Sequence, residues 1–134
     1  MILFKIKIDQ ATEILNNCLQ NYFKQLKPIK ISVEPINEFG LFKFDVSENT
    51  FINPQIIISN KWFRTENSYK NTILHELLHY SVFSDLKPDE IINATSSNDQ
   101  DLFERITETG KYAHGEKWNS KKTTINNIYN LNIR

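Results

Sequence analysis

Residues 68–83 have a clear helical repeat of apolar side chains. Spacings of three and four positions place these side chains on one face of an α-helix, and they are Tyr69, Ile73, Leu74, Leu77, Leu78, Tyr80 and Val82. His75 and His79 lie at the border of this apolar face. The pattern predicts a long helix that packs against a core and carries two imidazoles one turn apart.

Residues 75–79 read His-Glu-Leu-Leu-His, a pattern that rarely arises by chance because His is an uncommon residue. Two His four positions apart project from nearly the same side of a helix. Neutral imidazole is a good ligand for Zn²⁺, so His75 and His79 are candidate ligands, and Glu76 can take a proton from water. This combination is typical of zinc peptidases. The alternative is an amphipathic helix with two exposed His that bind nothing.

Composition restricts the class of protein. A chain of 134 residues with 40% hydrophobic and 24% charged residues is typical of one soluble globular domain, and we expect a single domain over residues 1–134. Sixteen basic and 16 acidic residues give a net charge of zero, which does not favour general attraction to nucleic acid or membranes.

We find no signal peptide or membrane-spanning segment. The only cysteine, Cys18, excludes an internal disulfide and a cysteine-based zinc ribbon. We therefore expect a cytoplasmic protein without membrane contact, in which Cys18 is buried and inert.

Short strand-like and helical segments follow one another along the chain. Strand character is found at residues 2–8, at 29–33, from near Gly40 to Val46, and at 56–59, the last limited on its N-terminal side by Pro54. Besides 68–83, helical spacing is found from Ala11 to Leu26, before Pro28, and at 88–95, 100–109 and 115–130. The pattern predicts an α+β fold, with a small antiparallel or mixed sheet packed on the His-bearing helix. Residues 1–39 would form a strand–helix–strand unit, and residues 40–130 the core with the metal site.

A catalytic zinc site needs a third protein ligand and an open position for water. The one remaining His is His114, in the segment Tyr-Ala-His-Gly-Glu-Lys-Trp of residues 112–118. The third ligand is therefore His114 or a carboxylate, and Glu104 and Glu108 on the predicted helix 100–109 are the candidate carboxylates. The alternative for both Glu is the solvated face of an amphipathic helix.

The strand 56–59, the helix with His-Glu-Leu-Leu-His and the later His114-Gly115-x-x-Trp118 together resemble the SprT-like metallopeptidase domain. That family pairs the two motifs and takes its third zinc ligand from the second. By position, the resemblance implies that His75, His79 and His114 bind Zn²⁺, that Glu76 is the general base and that Trp118 is a packing residue. It implies a zincin-like fold and a zinc-dependent hydrolysis of peptide bonds in a protein or peptide substrate. The resemblance covers most of residues 40–130.

Two departures from the family pattern stand out. Residues 81–113 separate the motifs by more than in compact members, and we interpret them as an insert that forms a flap or a peripheral helix. Residues 1–134 also contain no C-terminal zinc ribbon. Some family members cut proteins crosslinked to DNA, and candidate DNA contacts here are Lys24, Lys27, Lys30, Lys117, Lys121 and Lys122. Since the charge balance favours simple solvated lysines, we expect at most weak, strongly salt-dependent DNA binding.

Further roles follow from the proposed chemistry. Tyr80 and Tyr112 are near the candidate ligands in sequence and could help to bind an oxyanion, although a core or rim position is the favoured interpretation. An extended peptide is expected to add beside the strand Ile56–Ser59. Two alternatives to an active peptidase remain: a non-catalytic zinc-binding domain, against which the intact Glu76 argues, and an accessory protein of a mobile element that acts on one dedicated substrate.

Overall fold

The computed structural model describes all 134 residues and shows five α-helices with one three-stranded sheet. The elements are α1 (Ile8–Tyr22), β1 (Lys30–Glu34), β2 (Gly40–Ser47), β3 (Thr50–Ser59), α2 (Glu66–Ser84), α3 (Pro88–Ser96), α4 (Gln100–Thr107) and α5 (Glu116–Tyr129). A single 3₁₀ turn, Gly110–Tyr112, precedes α5. The fold is therefore α+β, as the sequence predicts. None of the helices combines the length and the apolar character needed to cross a membrane.

The sheet is mixed, and β3 is its central strand. β1 pairs with β3 in parallel, and β2 pairs with it in antiparallel orientation. Residues 55–58 of β3 have partners in both neighbours, and Ser59 is paired with Glu34 of β1. The expectation that an extended peptide adds beside Ile56–Ser59 is therefore wrong, because both edges of this strand are occupied. The exposed edges of the sheet belong to β1 and β2.

β3 is longer than predicted, because Pro54 lies inside it. Lys43 pairs with Gln55 and Asp45 pairs with Ile52, so that Asn53 and Pro54 together stand opposite a single residue of β2. This arrangement is a β-bulge, where a residue without an N–H group is tolerated. The prediction that Pro54 marks the start of the strand is wrong, and Pro54 instead marks the irregularity in the ladder.

The strand predicted at residues 2–8 does not form. Only Phe4 pairs, in two backbone hydrogen bonds with Arg64 of 2.9 and 3.0 Å. α1 already begins at Ile8, where the Lys7 backbone N–H donates to Gln10 Oε1 at 2.9 Å. Of the alternating apolar residues, Ile6 is buried, at 1% exposure, whereas Ile2 and Ile8 are exposed, at 79% and 47%. A strand also needs a partner along its length, and sequence alternation carries no information about that partner.

α2 is the central element of the core. Its Tyr69, Ile73 and Leu77 are completely buried and belong to one apolar cluster with Ile58 of β3 and Leu15 of α1. Burial of each side chain of this size contributes about 1.5–3 kcal/mol. α2 is therefore held in one orientation by the sheet on one side and by α1 on another, and this orientation determines where His75 and His79 emerge.

Cys18 lies in the same apolar cluster, on α1. It is 1% exposed, and burial raises the pKa of its thiol to about 11. The expectation of a buried cysteine is confirmed, and a thiol with this pKa is not a nucleophile at neutral pH.

The segment 81–113 contains the last residues of α2, then α3, α4 and the 3₁₀ turn, and it packs on the β2–β3 hairpin. Phe103 of α4 contacts Phe51 and Phe44, with ring centroids 5.7 and 6.3 Å apart. Phe83 at the end of α2 extends this aromatic cluster, 4.9 Å from Phe44. Of the two forms considered for the insert, the structure shows peripheral helices, and none of its residues lines the cleft beside Glu76.

Candidate metal centre

His75 and His79 lie one turn apart on α2, at the border between its buried side and the protein surface. The neighbouring Leu74, Leu77 and Leu78 are buried, and they fix the rotation of the helix about its axis. The two imidazole centroids are 5.3 Å apart. Spacing along the sequence and packing of the helix thus place two candidate ligands side by side, as the sequence predicts.

His114 reaches the same place from the segment between the 3₁₀ turn and α5. Its backbone is left-handed, with φ of 59°. The Asn119 side chain holds this conformation, because its Nδ2 donates to the carbonyl groups of His114 at 2.7 Å and Gly115 at 3.1 Å. A left-handed backbone in a residue other than glycine costs on the order of 1–3 kcal/mol, so the surrounding structure has to hold it in place. Here it places the His114 imidazole against α2.

The three imidazoles surround one point. Nε2 of His75 is 2.9 Å from Nε2 of His114, and one nitrogen from each of the three rings lies within 4.8 Å of the others. Two nitrogen ligands of a tetrahedral Zn²⁺ ion are about 3.3 Å apart, given Zn–N bonds of about 2.0–2.1 Å. The separation of 2.9 Å between Nε2 of His75 and Nε2 of His114 is close to that spacing. His75, His79 and His114 are therefore close enough to bind one metal ion.

The environment keeps all three His in the neutral form. Burial is the main cause that lowers their pKa values, and for His79, where the nearby His75 and His114 add to the effect, the pKa falls to about 3. The Lys122 ammonium further lowers the pKa of His114. Neutral imidazole is the form that binds a metal. Protons should therefore compete with a metal only below the usual pKa range of His.

Trp118, the expected packing residue, lies against all three imidazoles. Its ring centroid is 4.8 Å from that of His75, 5.5 Å from that of His79 and 4.4 Å from that of His114. It is 2% exposed and belongs to the main apolar cluster. Trp118 thus connects α5 to the core and supports the rings from one side.

Glu108, one candidate third ligand, caps α5 instead. Its carboxylate accepts hydrogen bonds from the backbone N–H groups of Lys117 at 2.9 Å and Trp118 at 2.8 Å. Gly115 is needed for this approach, because a Cβ there would lie 2.8 Å from Glu108 Cδ. A negative group at this position satisfies unpaired helix N–H groups and the helix dipole. Glu108 thereby fixes the start of α5, directly after His114.

Glu104, the other candidate carboxylate, is also outside the cluster. It packs against Gly110 and accepts a hydrogen bond from Gln100 Nε2 at 3.4 Å. The group of potential metal ligands consists of three His and no Glu. The arrangement therefore supports His114, and not a carboxylate, as the third candidate ligand.

Glu76 lies between α2 and the start of β2. It is 6% exposed, and a Cβ at Gly40 would be only 3.1 Å from its Oε2, so that Gly40 allows the strand to pass close to the carboxyl group. Burial raises the pKa of Glu76 to about 8, although the nearby backbone N–H of Phe42 lowers it. A carboxyl group whose pKa is shifted toward neutrality, next to three potential ligands, is suited to general acid–base chemistry.

A cleft of about 830 Å³ opens beside His75 and Glu76. Its other walls come from the start of β2, the first turns of α2 and the end of the chain, namely Phe39, Gly40, Arg64, Asn67, Ser68, Asn71, Thr72, Asn132 and Arg134. The volume lies within the range of ligand-binding clefts. A lining that is polar except for Phe39 suits a ligand with many amide groups.

The two Tyr residues near the ligands in sequence have other partners. The Tyr80 hydroxyl donates to the backbone carbonyl of Lys27 at 3.2 Å, and the residue is buried. The Tyr112 hydroxyl donates to Asp101 Oδ1 at 2.7 Å. Neither lines the cleft, in agreement with the favoured core or rim interpretation.

The six candidate lysines form two separate groups. Lys24, Lys27 and Lys30 are exposed near the end of α1 and the start of β1. On α5, Lys121 forms an ion pair with Asp85 at 2.5 Å, and Lys122 lies over the Trp118 ring, 5.3 Å from its centroid. Lys121 and Lys122 thus have partners within the protein, and DNA binding remains a prediction.

One contact of the site has no signal in the sequence. The backbone carbonyl of Arg134 lies 3.2 Å from His75 Nδ1, on the side of the ring opposite the nitrogen that faces His114. A backbone carbonyl carries no residue-type information, so only the folded structure reveals it. Glu108 was similarly missed as a cap, because it lies eight residues before the helix it stabilises.

Comparison of the chain with protein-family models, with curated proteins and with solved structures found no match.

Proposed function

We propose that this protein is a zinc-dependent peptidase of the SprT-like type with a zincin-like fold, in which His75, His79 and His114 bind Zn²⁺ and Glu76 is the general base. The observation that carries the proposal is the convergence of three neutral imidazoles beside a buried carboxyl group at an open cleft. Each of these features is expected for a hydrolytic zinc site, and their combination is specific.

The donor set supports zinc. Imidazole nitrogens suit Zn²⁺, whereas Mg²⁺ and Ca²⁺ prefer carboxylate and carbonyl oxygens. Three protein ligands without a fourth are typical of catalytic zinc sites, while structural sites have four. The exposed position of His114 allows access to the centre from solvent.

Zn²⁺ bound there would supply Lewis-acid chemistry, which activates water for attack on a peptide carbonyl at neutral pH. Glu76 would accept the proton that the attacking water loses and pass it to the nitrogen of the departing amine. Both transfers require Glu76 to alternate between carboxylate and acid near pH 7. Without a metal its pKa is raised to about 8, mainly by burial, and a nearby divalent cation would favour the carboxylate and return the pKa toward neutrality.

The strand available to a substrate is β2. It is an edge strand, and its first residue, Gly40, lies next to Glu76 and lines the cleft. An extended peptide that hydrogen-bonds to this edge would run past the carboxyl group, and main-chain pairing would provide affinity without a requirement for one particular side chain. We therefore propose an extended polypeptide as the substrate class.

The test is cleavage of a mixed peptide library by zinc-loaded protein, compared between wild type and Glu76→Gln. We expect cleavage in the wild type, a decrease of about 10²–10⁴-fold in the variant, and equal zinc content in both. Glu66→Gln, at the start of the same helix, is the matched control.

Undiminished cleavage by Glu76→Gln would remove this residue from the mechanism. If the wild-type protein binds zinc but cleaves no peptide in the library, the proposal of a general peptidase is overturned. This result would favour the alternative of a zinc-binding protein that is non-catalytic or acts on one dedicated substrate.

A further inference from the structure

We propose that residues 131–134, here called the C-terminal strap, position His75 for metal binding through the backbone carbonyl of Arg134. This inference rests on the proposed function, because it assumes that His75 binds zinc. His75 Nδ1 lies 3.2 Å from the Arg134 carbonyl oxygen, while His75 Nε2 faces the other ligands. Nδ1 thus contacts the strap, and Nε2 faces the other candidate ligands.

The strap is held in place by two asparagines on different helices. On α2, Asn71 Nδ2 donates to the carbonyl of Asn132 at 2.8 Å, and its Oδ1 accepts from the backbone N–H of Arg134 at 3.3 Å. On α5, Asn126 Nδ2 donates to the carbonyl of Ile133 at 3.2 Å, and its Oδ1 accepts from the N–H of the same residue at 2.9 Å. Each side-chain amide donates one hydrogen bond to the backbone of the strap and accepts one from it, as the backbone of an adjacent strand would do.

Apolar contact fixes the strap further. The side chain of Ile133 is 3% exposed and belongs to the main core cluster. Asn130 ends α5 in a left-handed conformation with φ of 53°, which turns the chain out of the helix. The position of the Arg134 carbonyl is therefore determined by the core and by two helices, and not by its contact with His75 alone.

The chemical consequence concerns the tautomer of His75. A carbonyl oxygen can only accept, so Nδ1 must carry the proton in this contact, and the lone pair is left on Nε2. Nε2 is the atom that lies 2.9 Å from Nε2 of His114. Such an outer partner also fixes the ring orientation, and its loss typically weakens metal binding about 10–100-fold. Asn71 and Asn126 are thus positioning residues that act through the strap.

The test compares Asn71→Ala, Asn126→Ala and the control Asn127→Ala, an exposed asparagine next to Asn126 on α5. Zinc affinity is measured by competition with a chelator. In the zinc-loaded protein, the exchange of the His75 Nδ1 proton with water is followed by NMR. Asn126→Ala is the decisive variant, because Asn126 contacts the strap and not His75 itself. A general disturbance of α5 would also change the signals of His79 and His114, which Trp118 contacts.

We expect both Asn71→Ala and Asn126→Ala to weaken zinc binding at least about tenfold and to accelerate exchange of the His75 Nδ1 proton, with the corresponding signals of His79 and His114 unchanged. Asn127→Ala should behave as wild type. If Asn126→Ala has the zinc affinity of the wild type and the same exchange rate of the His75 Nδ1 proton, the inference is overturned. This holds even if Asn71→Ala has an effect or fails to fold. A wild type that binds no zinc would instead overturn the proposed function.

Discussion

At the scale of single residues, the three candidate ligands are prepared for metal binding in different ways. The ring of His75 is held by the Arg134 carbonyl, burial keeps His79 neutral, and a left-handed backbone places His114. The spacing of His75 and His79 could be predicted because four residues nearly complete one helical turn. His114 could be selected only as the one remaining His and through a family resemblance, because its approach to α2 depends on the tertiary structure.

Glu76 leads to a prediction about the stability of the metal-free protein. Its pKa is raised from 4.5 to about 8 in the folded protein, so that between these values the folded state binds more protons than the unfolded state. Stability therefore falls as pH rises through this range and levels off above about pH 8. Glu76→Gln removes this pH-dependent loss of stability, and we expect the variant to be more stable than wild type by a few kcal/mol near pH 9. Near pH 4.5 the difference should be small.

This prediction is checked by urea unfolding of the chelator-treated proteins at several pH values. Glu13→Gln, at an exposed position on α1, is the matched control. A free-energy difference between wild type and Glu76→Gln that does not change with pH would contradict the assignment of a strongly perturbed carboxyl group.

At the scale of elements, the helices could be predicted better than the strands. The bounds of α2, Glu66–Ser84, differ little from the predicted 68–83, because its apolar repeat reports burial directly. The predicted strand at residues 2–8 and the predicted substrate position beside Ile56–Ser59 are wrong, because an alternating pattern does not show which strand lies beside a segment. Pro54 was misjudged because a bulge accommodates it inside β3.

α5 provides a prediction at this scale. Gly115 offers no side-chain cap, and Glu108 fills that function through two backbone hydrogen bonds. We expect Glu108→Ala to destabilise the protein by about 1–3 kcal/mol, measured by thermal or urea unfolding. It should also weaken zinc binding, because the start of α5 positions His114.

Glu116→Ala is the control for this experiment, because Glu116 is also acidic and lies in the first turn of α5 but is exposed. Its effect should be limited to a few tenths of a kcal/mol from the helix dipole. Equal effects of the two substitutions on stability and zinc affinity would show that Glu108 does not act as a specific cap.

At the scale of the whole molecule, the fold brings together two motifs, and His75 of the first is 39 positions from His114 of the second. The intervening α3 and α4 pack on the β2–β3 hairpin through Phe103, and α5 then returns to α2 through Trp118. The α+β class and the metal-binding candidates could be predicted from periodicity and residue type. The strand order and the cap at Glu108 could not, because each depends on contacts between segments that are distant in sequence.

The central claim is that three His from these two motifs bind one zinc ion. The most direct measurement is the zinc content of purified wild type, His114→Ala and Glu104→Ala after dialysis against trace zinc. We predict about one zinc per chain in the wild type and in Glu104→Ala, and loss of zinc in a folded His114→Ala. Retention of stoichiometric zinc in His114→Ala, or its absence from the wild type, would contradict the account.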